Sequence, residues 1–281
     1  RPLGYVFQET SLFPHLSVRE NLKYGFKRVP AHTRKISWEQ AVSLLDVDVL
    51  LDRHPHSLSG GERQRAAIAR ALLTSPRLML MDEPLAALDV KRKTEILPFF
   101  ERMHEALGIP TLYVSHDTNE VVRLADHMVL LDAGKVQASG PIREMLGRMD
   151  LPLIHDHDAG SLIEAVVTGY DADYYLTRLA FCGGNFFIAR QKLPLGKKLR
   201  LRVLARDVSL TLERQCSTSI LNVFPVIVEA SADEGRGQTM VRLDAGGTPL
   251  LARITQKSAD ALDIRPGKKM YAQVKSAALL E

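Results

Sequence analysis

Two acidic residues stand directly behind an apolar run in the first half of the chain. Residues 78–81 read Leu-Met-Leu-Met, and Asp82 and Glu83 follow. Four consecutive apolar residues predict a central parallel strand buried on both faces, and open α/β sheets place their sites at the carboxyl ends of such strands. Carboxylates at the end of a buried strand are costly unless they take part in binding or catalysis. Two solvated acids at an ordinary strand end are the alternative for this dipeptide alone.

Polar side chains also end two other predicted strands. Gln8 follows the apolar run of residues 3–7, and His116 follows the β-branched and aromatic run of residues 111–115. A glutamine or histidine at one strand end is more often structural than catalytic. Here His116 is the third polar group that follows a predicted strand, after Gln8 and the acid pair. The recurrence of polar residues at three strand ends favours a common site.

Residues 57–70 have the pattern of a capped helix that begins with two glycines. Ser59 and Glu62 have the spacing of a capping box, and the alanines and leucines that follow are good helix formers. Gly60 and Gly61 leave the amides of the first turn uncovered, and a helix N-terminus with free amides is an anion site. An ordinary capped helix after a glycine turn is the alternative.

The run Leu-Ser-Gly-Gly-Glu-Arg-Gln-Arg at residues 58–65 resembles the signature motif of ABC-type ATPases. Other segments resemble the Q-loop with the segment behind it, the Walker B motif, the D-loop, the switch region and the closing hairpin of that family. These segments are residues 3–22, 78–83, 85–89, 111–117 and 125–136. The resemblance implies the α/β fold of that family, with ATP and Mg²⁺ as cofactors.

The resemblance assigns catalytic roles to the polar strand ends. Asp82 would hold Mg²⁺, directly or through water, and Glu83 would be the general base for the attacking water. Gln8 would reach the Mg²⁺ and that water, and His116 would contact the γ-phosphate. In importers of this family the segment behind the glutamine, here residues 11–22, contacts the membrane subunit.

The resemblance also implies that ATP lies between two copies of the chain. Ser59, Gly60, Gly61 and Glu62 would face the phosphate-binding loop of the partner and stabilise charge on the γ-phosphate. Asp89, in the D-loop, would lie at the dimer interface. Closure of the two copies on ATP, and their opening after hydrolysis, would then move the membrane subunits.

The phosphate-binding loop of such ATPases is not in the sequence. No Gly-x-x-x-x-Gly-Lys-Ser/Thr pattern occurs, and the sequence starts at Arg1 and Pro2 without a methionine. We expect that the first part of the ATPase domain lies upstream. The 281-residue chain by itself should then hydrolyse ATP poorly or not at all, and saturable, Mg²⁺-dependent hydrolysis by the purified chain would contradict this. A degenerate family member is the less favoured alternative, because every later motif is present.

The second half of the chain is predicted to consist of short strands. Its apolar runs are separated by Gly, Asp and Pro and lie at residues 163–167, 174–179, 185–190, 199–205 and 208–212, with further strands from residue 226 onward. An internal repeat relates residues 178–190 to residues 242–253, and the second copy has an extra segment, residues 254–264, that predicts a short helix. Two similar β units predict a small barrel of two halves, or two barrels side by side.

Residues 219–275 resemble the Mop-type module of molybdate-binding proteins, which holds a tetrahedral oxyanion between subunits. The matching polar positions and the lysine beside them are Ser219, Asn222, Lys257 and Ser258. Leu221 and Gln256 stand where that family often has a basic residue. A purely structural dimerisation barrel is therefore an equal alternative to an oxyanion site.

Composition narrows the class of protein. Lys and Arg number 37 against 33 Asp and Glu, and the net charge of +4 is scattered, which gives no support for a nucleic-acid partner. The two cysteines, Cys182 and Cys216, form no metal-binding spacing and suit a reducing compartment. No apolar run approaches the length of a membrane span, and no signal-peptide pattern occurs.

Taken together, these patterns predict an α/β ABC ATPase domain over residues 1–150, without its P-loop part, and a linker over residues 151–160. An all-β small-barrel region of OB-like, Mop or TOBE type would follow over residues 161–281. The Mop-like module itself would occupy residues from about 218 to 281.

The predicted function is ATP hydrolysis that drives import of molybdate, or a similar oxyanion, through an ABC transporter. The expected partners are a second copy of the chain, integral membrane permease subunits and a periplasmic binding protein. The expected location is peripheral, at the cytoplasmic face of the inner membrane, with molybdate as a regulatory ligand of the C-terminal module. The alternatives are an importer subunit for sulfate, iron, polyamine or sugar, a non-transport ABC ATPase of translation or DNA repair, and a non-enzymatic oxyanion-binding module on an inactive ATPase remnant.

Overall fold

The computed structural model describes residues 3–9, 11–189 and 193–280, and the chain divides into two compact units. The first unit is Arg1–Leu124 and the second is Ala125–Glu281. The predicted repeat and the predicted strand at residues 185–190 both end at Arg190, which lies outside the described residues. Arg1 and Pro2, at the start of the sequence, also lie outside them. The domain bounds at residues 150 and 160 stay a prediction.

Among its described residues, the first unit combines three short parallel strands with five α-helices. Its strands are β1 (Leu3–Val6), β2 (Leu78–Asp82) and β3 (Thr111–Val114). Its helices are α1 (Val18–Phe26), α2 (Trp38–Leu44), α3 (Gly60–Leu72), α4 (Val90–Leu107) and α5 (Thr118–Leu124). Short 3-10 helices lie at Ala31–Thr33, Asp48–Leu50 and Pro55–Ser57. The three strands predicted from the sequence are confirmed.

Capping boxes fix the starts of α1 and α3. Ser59 and Glu62 form the predicted box at α3, and Ser17 with Glu20 forms another at α1. In both boxes the serine hydroxyl accepts from a backbone amide of the first turn, and the glutamate accepts from the serine amide. The starts of these helices therefore follow from the local sequence.

The apolar residues over 37–51 have helical spacing, but the α-helix occupies only the first half of that range. The helix α2 ends at Leu44, and Asp46 adopts a left-handed backbone with φ of 52°. A residue in that region cannot continue a right-handed helix. A capping box of Ser37 and Gln40 fixes the start of α2, and the ring of Trp38 meets the ring of Phe26 edge-on at 5.9 Å between centroids.

β2 is the central strand of the first sheet, with β1 and β3 parallel on its two sides. Met79 and Met81 are buried in the core that α1 and α3 form with one face of the sheet, whereas Leu78 and Leu80 are only half-buried on the other face. The second face also exposes Leu3, Tyr5 and Leu112. The prediction that β2 is buried on both faces is therefore wrong, because the core covers one face.

The second unit begins with a hairpin and continues as a β structure. The hairpin is β4 (His127–Asp132) with β5 (Lys135–Pro141), followed by α6 (Ile142–Leu146), and it confirms the predicted closing hairpin. The further strands are β6 (Gly160–Asp171), β7 (Leu176–Phe181), β8 (Gly184–Ala189), β9 (Lys198–Leu204), β10 (Val208–Thr211), β11 (Asn222–Gly235), β12 (Gln238–Asp244), β13 (Pro249–Thr255), β14 (Lys269–Val274) and β15 (Ala278–Leu280). Short helices lie at Pro152–His155, Ala205–Asp207 and α7 (Gln256–Ala261).

In the described part of this unit, two five-stranded antiparallel sheets share one core. Their strand orders are β15-β9-β6-β7-β8 and β10-β14-β11-β12-β13. The two copies of the sequence repeat occupy the equivalent hairpins β7–β8 and β12–β13, and α7 confirms the helix predicted in the second copy. Phe186 of one sheet and Phe224 of the other pack at 5.3 Å between ring centroids.

Within the described ranges of the chain, no helix is both long and apolar enough to cross a bilayer.

Candidate functional site

The candidate site of the first unit lies where the three parallel strands end. Gln8 follows β1, Asp82 ends β2 with Glu83 directly behind it, and His116 follows β3. Because the three strands are adjacent and parallel, their carboxyl ends meet at one edge of the sheet. The structure thus brings the polar strand ends predicted from the sequence to one place.

Glu83 is the centre of this group. Its Oε1 lies 2.9 Å from Nδ1 of His116, and its Oε2 accepts a hydrogen bond from Nε2 of Gln8 at 3.5 Å. The side chain of Glu83 is 28% exposed, so these contacts are partly shielded from water. Glu83 also has a left-handed backbone with φ of 42°. Such a conformation is strained for a residue other than glycine, and such strain concentrates at functional sites.

The carboxylate of Glu83 changes the titration of His116. Its hydrogen bond and then its charge raise the pKa of the imidazole above the ordinary value, while desolvation and Lys93 oppose this. A raised pKa in the folded state means that the pair stabilises the fold fully at pH values below the unfolded-state pKa. That contribution is lost as the pH rises through the folded-state pKa. The exposed imidazole is screened by solvent, so the effect on stability is small.

We predict that Glu83→Gln lowers the pKa of His116, because both the charge and the strongest acceptor are then gone. A titration of the histidine ring protons by nuclear magnetic resonance measures this directly. The other histidines serve as internal controls and should titrate as they do in the parent protein. An unchanged His116 would contradict the contact between His116 and Glu83.

Asp82 presents carboxylate oxygens at the same edge. Its Oδ2 accepts a hydrogen bond from the hydroxyl of Tyr5 at 3.4 Å. In phosphate-transfer sites Mg²⁺ is held by one or two protein oxygen ligands together with water and phosphate. The oxygens of Asp82 and the side-chain oxygen of Gln8 fit that donor set. In the part of the chain that the structure describes, no group of three or more His, Cys, Asp or Glu side chains could hold a metal ion by itself.

Tyr5 is a neighbour of the acid pair that the sequence pattern did not predict. The parallel register of β1 and β2 could have revealed this contact, because it pairs Tyr5 with Leu80. Leu80 lies two residues before Asp82, on the same face of the sheet. That register becomes visible only when the two strands are known to be adjacent.

The N-terminus of α3 holds the second group of predicted residues. The amide of Ser59 donates to Oε2 of Glu62 at 2.6 Å, and the amide of Glu62 donates to the Ser59 hydroxyl oxygen at 3.3 Å. The backbone bond from Ser59 lowers the pKa of Glu62, and Arg53 pairs with the same carboxylate at 3.2 Å. The carboxylate of Glu62 is thus bonded at the N-terminus of α3, to the amide of Ser59 and to Arg53. The first-turn amides of Gly60 and Gly61 have no partner within the helix.

The D-loop lies directly against this helix start. A Cβ added at Gly60 would lie 2.9 Å from Cδ2 of Leu88, so glycine allows the close approach. Asp89 follows and caps α4, where its carboxylate accepts from the amide of Arg92 at 2.9 Å. The structure therefore places the signature residues and the D-loop side by side.

The predicted oxyanion residues of the second unit do not form one cluster within the chain. The buried amide of Asn222 accepts from the amide nitrogen of Phe187 at 2.7 Å and donates to its carbonyl at 3.1 Å. The Ser258 hydroxyl lies 2.8 Å from the Thr255 hydroxyl at the start of α7. Ser219 and Lys257 are exposed.

These residues also lie at opposite ends of one strand. Asn222 begins β11, which is 14 residues long and ends at Gly235. Thr255 pairs with Gln238, directly behind that end, and α7 with Ser258 follows. A shared site would therefore take Asn222 and Ser258 from two different copies of the chain.

The chain is similar to known proteins over its whole length. The ABC transporter family model matches residues 1–86, and the TOBE domain family model matches residues 218–280. Molybdenum import ATP-binding protein ModC 1 of Azotobacter vinelandii is 58% identical over 281 residues, which are 100% of this chain and 78% of that protein. Molybdenum import ATP-binding protein ModC of Aromatoleum aromaticum is 59% identical over 280 residues, covering 100% of this chain and 74% of that protein.

Solved structures are similar to part of the chain. The structure of cbiO1 from Clostridium perfringens, part of the ABC transporter complex cbiONQ, is 28% identical, with a TM-score of 0.47 over 52% of this chain and 60% of that one. The two family models confirm the predicted fold class, an ABC ATPase domain followed by an all-β TOBE-type domain.

Proposed function

Because this chain belongs to the family of molybdenum import ATP-binding proteins, we propose that it hydrolyses ATP to drive molybdate import through an ABC transporter. The transport-coupled ATPase function predicted from the sequence is thereby confirmed at the level of the family. The assignment of the hydrolytic site rests on one observation, the contact of Glu83 with both Gln8 and His116 at the strand ends.

Glu83 is proposed to take the proton of the attacking water. Its two oxygens are oriented by His116 on one side and by Gln8 on the other, which fixes the carboxylate relative to the sheet edge. Gln8 donates through its nitrogen, so its side-chain oxygen is left for the water or the metal ion. Asp82 and Gln8 would hold Mg²⁺, which supplies positive charge for the phosphate oxygens.

The signature residues are proposed to bind the ATP held by a second copy of the chain. The hydroxyl oxygen of Ser59 accepts from the amide of Glu62, so its proton can still be donated to a phosphate oxygen. The amides of Gly60 and Gly61 point out of the positive end of the helix dipole. Asp89 is proposed to lie at the interface of the two copies. Homodimerisation is thus required for a complete ATP site.

The segment behind Gln8 is proposed to contact the membrane permease subunits. Asn21 is buried and clamps this segment, since its side chain accepts from the amide of Phe13 at 2.8 Å and donates to the carbonyls of Phe13, Leu16 and Ser17. A loop held in this way presents a defined surface. We place the subunit peripherally at the cytoplasmic face of the inner membrane, with a periplasmic binding protein as the further partner.

The transporter itself offers the test of this function. The full-length protein, combined with its permease subunits in liposomes, should hydrolyse ATP faster when a molybdate-loaded binding protein is added. The same binding protein loaded with sulfate is the matched comparison. Stimulation by sulfate alone would assign the chain to a sulfate importer, and absence of any ATPase activity would contradict a transport ATPase.

The C-terminal module is proposed to bind molybdate as a regulatory ligand between two copies. The donors are Ser219 from one copy and Ser258 with Lys257 from the other, because hydroxyl and ammonium groups suit a dianion. Asn222 is bonded to Phe187 and therefore supports the shape of the site rather than donating freely.

We predict that the protein binds molybdate in a calorimetric titration and that sulfate binds more weakly. Ser219→Ala and Ser258→Ala should each remove the heat of binding while the dimer persists in sedimentation. Ser209→Ala, at an exposed serine of β10 away from the proposed donors, is the control and should leave binding unchanged. No heat with either anion would leave the module as a dimerisation barrel, and equal binding of both would remove the reason for naming molybdate.

A further inference from the structure

A buried cluster of charged and hydroxyl side chains lies next to the loop that carries His116. Glu120 of α5 is 3% exposed, and its Oε1 lies 2.7 Å from Nζ of Lys93 in α4. The hydroxyl of Tyr113 donates to Oε2 of Glu120 at 2.6 Å, and the hydroxyl of Ser115 donates to the same oxygen at 2.9 Å. Every oxygen of this carboxylate is therefore satisfied inside the protein. None of these four residues has a role in the proposed reaction.

Both neighbours of His116 are held by this cluster. Ser115, before it, donates to Glu120, and Asp117, after it, accepts from Nζ of Lys93 at 2.8 Å. The imidazole itself is 75% exposed and touches Glu83. The position of the ring at 2.9 Å from Glu83 thus depends on how the cluster holds the short loop at residues 115–117.

Lys93 connects this loop to the D-loop. It lies in the first turns of α4, and its amide donates to the carbonyl of Asp89, the residue that caps the helix. Lys93 bonds two carboxylates at once, and that of Glu120 is buried. Neither α4 nor the loop at residues 115–117 can therefore move far without the other. A shift of the Asp89 end of α4 would therefore be passed to the loop that carries His116.

Stability alone does not explain a buried ion pair of this kind. The desolvation of two charges offsets much of their attraction, and replacement by apolar side chains is often neutral or stabilising. Such a pair is better suited to fixing one geometry. Here the geometry that it fixes is the approach of His116 to Glu83.

We propose that Lys93 and Glu120 are positioning residues that lock the loop at residues 115–117 to α4. His116 then contacts Glu83 only while α4, which follows the D-loop, is in place. This inference rests on the proposed hydrolytic role of Glu83 and His116. The proposed role of Lys93 and Glu120 is to act through His116, because their side chains bond the residues on either side of it.

Kinetics of the full-length protein test the inference. Lys93→Met should lower kcat for ATP hydrolysis about 10- to 100-fold, because a displaced catalytic group costs rates of that order, with KM for ATP nearly unchanged. Lys93→Arg should restore most of the rate, since a guanidinium can still bond both carboxylates. Tyr113→Phe removes one hydrogen bond but no charge, and a loss of only a few-fold is expected.

A double variant separates positioning from general damage to the fold. In a His116→Ala background, Lys93→Met should cause no further loss of kcat, because the group on which Lys93 acts is already gone. If the two losses multiply instead, Lys93 acts independently of His116 and the inference is wrong. A rise in KM with unchanged kcat would overturn it equally.

The titration of His116 decides the inference even if hydrolysis is absent. Removal of the Lys93 charge would by itself raise the pKa of His116, whereas loss of the contact with Glu83 would lower it. We expect a lower pKa in Lys93→Met and a restored pKa in Lys93→Arg. A raised pKa in Lys93→Met would show that the loop stays in place without Lys93, which contradicts the inference. Absence of ATPase activity in the parent protein would contradict the proposed function alone.

Discussion

Glu83→Gln should lower ATP turnover of the full-length protein by about 10²- to 10⁴-fold while ATP still binds, because general-base assistance is worth rates of that order. Glutamine keeps the size of the side chain and can still contact Gln8 and His116, but it cannot take a proton at pH 7. Binding of a fluorescent ATP analogue and release of phosphate measure the two properties separately.

The matched control for this variant is Glu39→Gln in α2. Glu39 is exposed and lies outside the proposed hydrolytic site, so its replacement should leave turnover within experimental error. Turnover of Glu83→Gln within a few-fold of the parent would show that another group is the base. Loss of ATP binding in the same variant would point to a role for Glu83 in holding the nucleotide.

Glu234→Ala should destabilise the second unit by about 3–5 kcal/mol, the usual cost of breaking a buried ion pair from one side. Arg253 binds both oxygens of Glu234, at 2.7 and 3.0 Å, and the two side chains are 11% and 6% exposed. Arg253 also donates to the carbonyls of Ile154 and Asp156. Removal of the carboxylate leaves a buried guanidinium without a counter-charge.

Hydrogen exchange of the amides in β12 and β13 reports the stability of this unit by itself. Glu229→Ala is the matched control on the same strand. Glu229 pairs with Arg242 at 2.7 Å, but the two side chains are 42% and 34% exposed, and such pairs contribute about 0–1 kcal/mol. Similar losses in the two variants would contradict the special cost of the buried pair.

The parts of the site that sequence predicts well are those with local causes. The capping box depends only on Ser59 and Glu62, which are three residues apart in the sequence. The acid pair lies at the end of β2, the strand formed by the residues directly before it. Gln8, Glu83 and His116 meet because parallel adjacent strands bring their ends together, and the resemblance to ABC-type ATPases already implied that topology. Sequence therefore predicted, residue by residue, the group of side chains that the structure brings together at this sheet edge.

The parts that sequence analysis missed have causes that are distant in the chain. The bond between Lys93 and Glu120 joins two helices, and its partners become visible only once α4 and α5 are packed. The amide of Asn222 is bonded to Phe187 in the other sheet, so a residue predicted as a free donor has its partner already. The half-buried face of β2 depends on which helices cover it.

Other misses come from backbone conformation. The helical pattern of residues 37–51 continues past Asp46, yet the left-handed backbone there ends α2. Periodicity measures where apolar side chains lie and carries little information on single residues with positive φ.

The left-handed backbone of Glu83 has a consequence for laboratory evolution. Glycine adopts this conformation freely and asparagine tolerates it, whereas strained residues of this kind cost about 1–3 kcal/mol. A gene library sorted only for heat resistance or soluble expression should therefore enrich glycine or asparagine at position 83. A library sorted for growth on scarce molybdate should keep glutamate, so the two selections would drive this single codon in opposite directions.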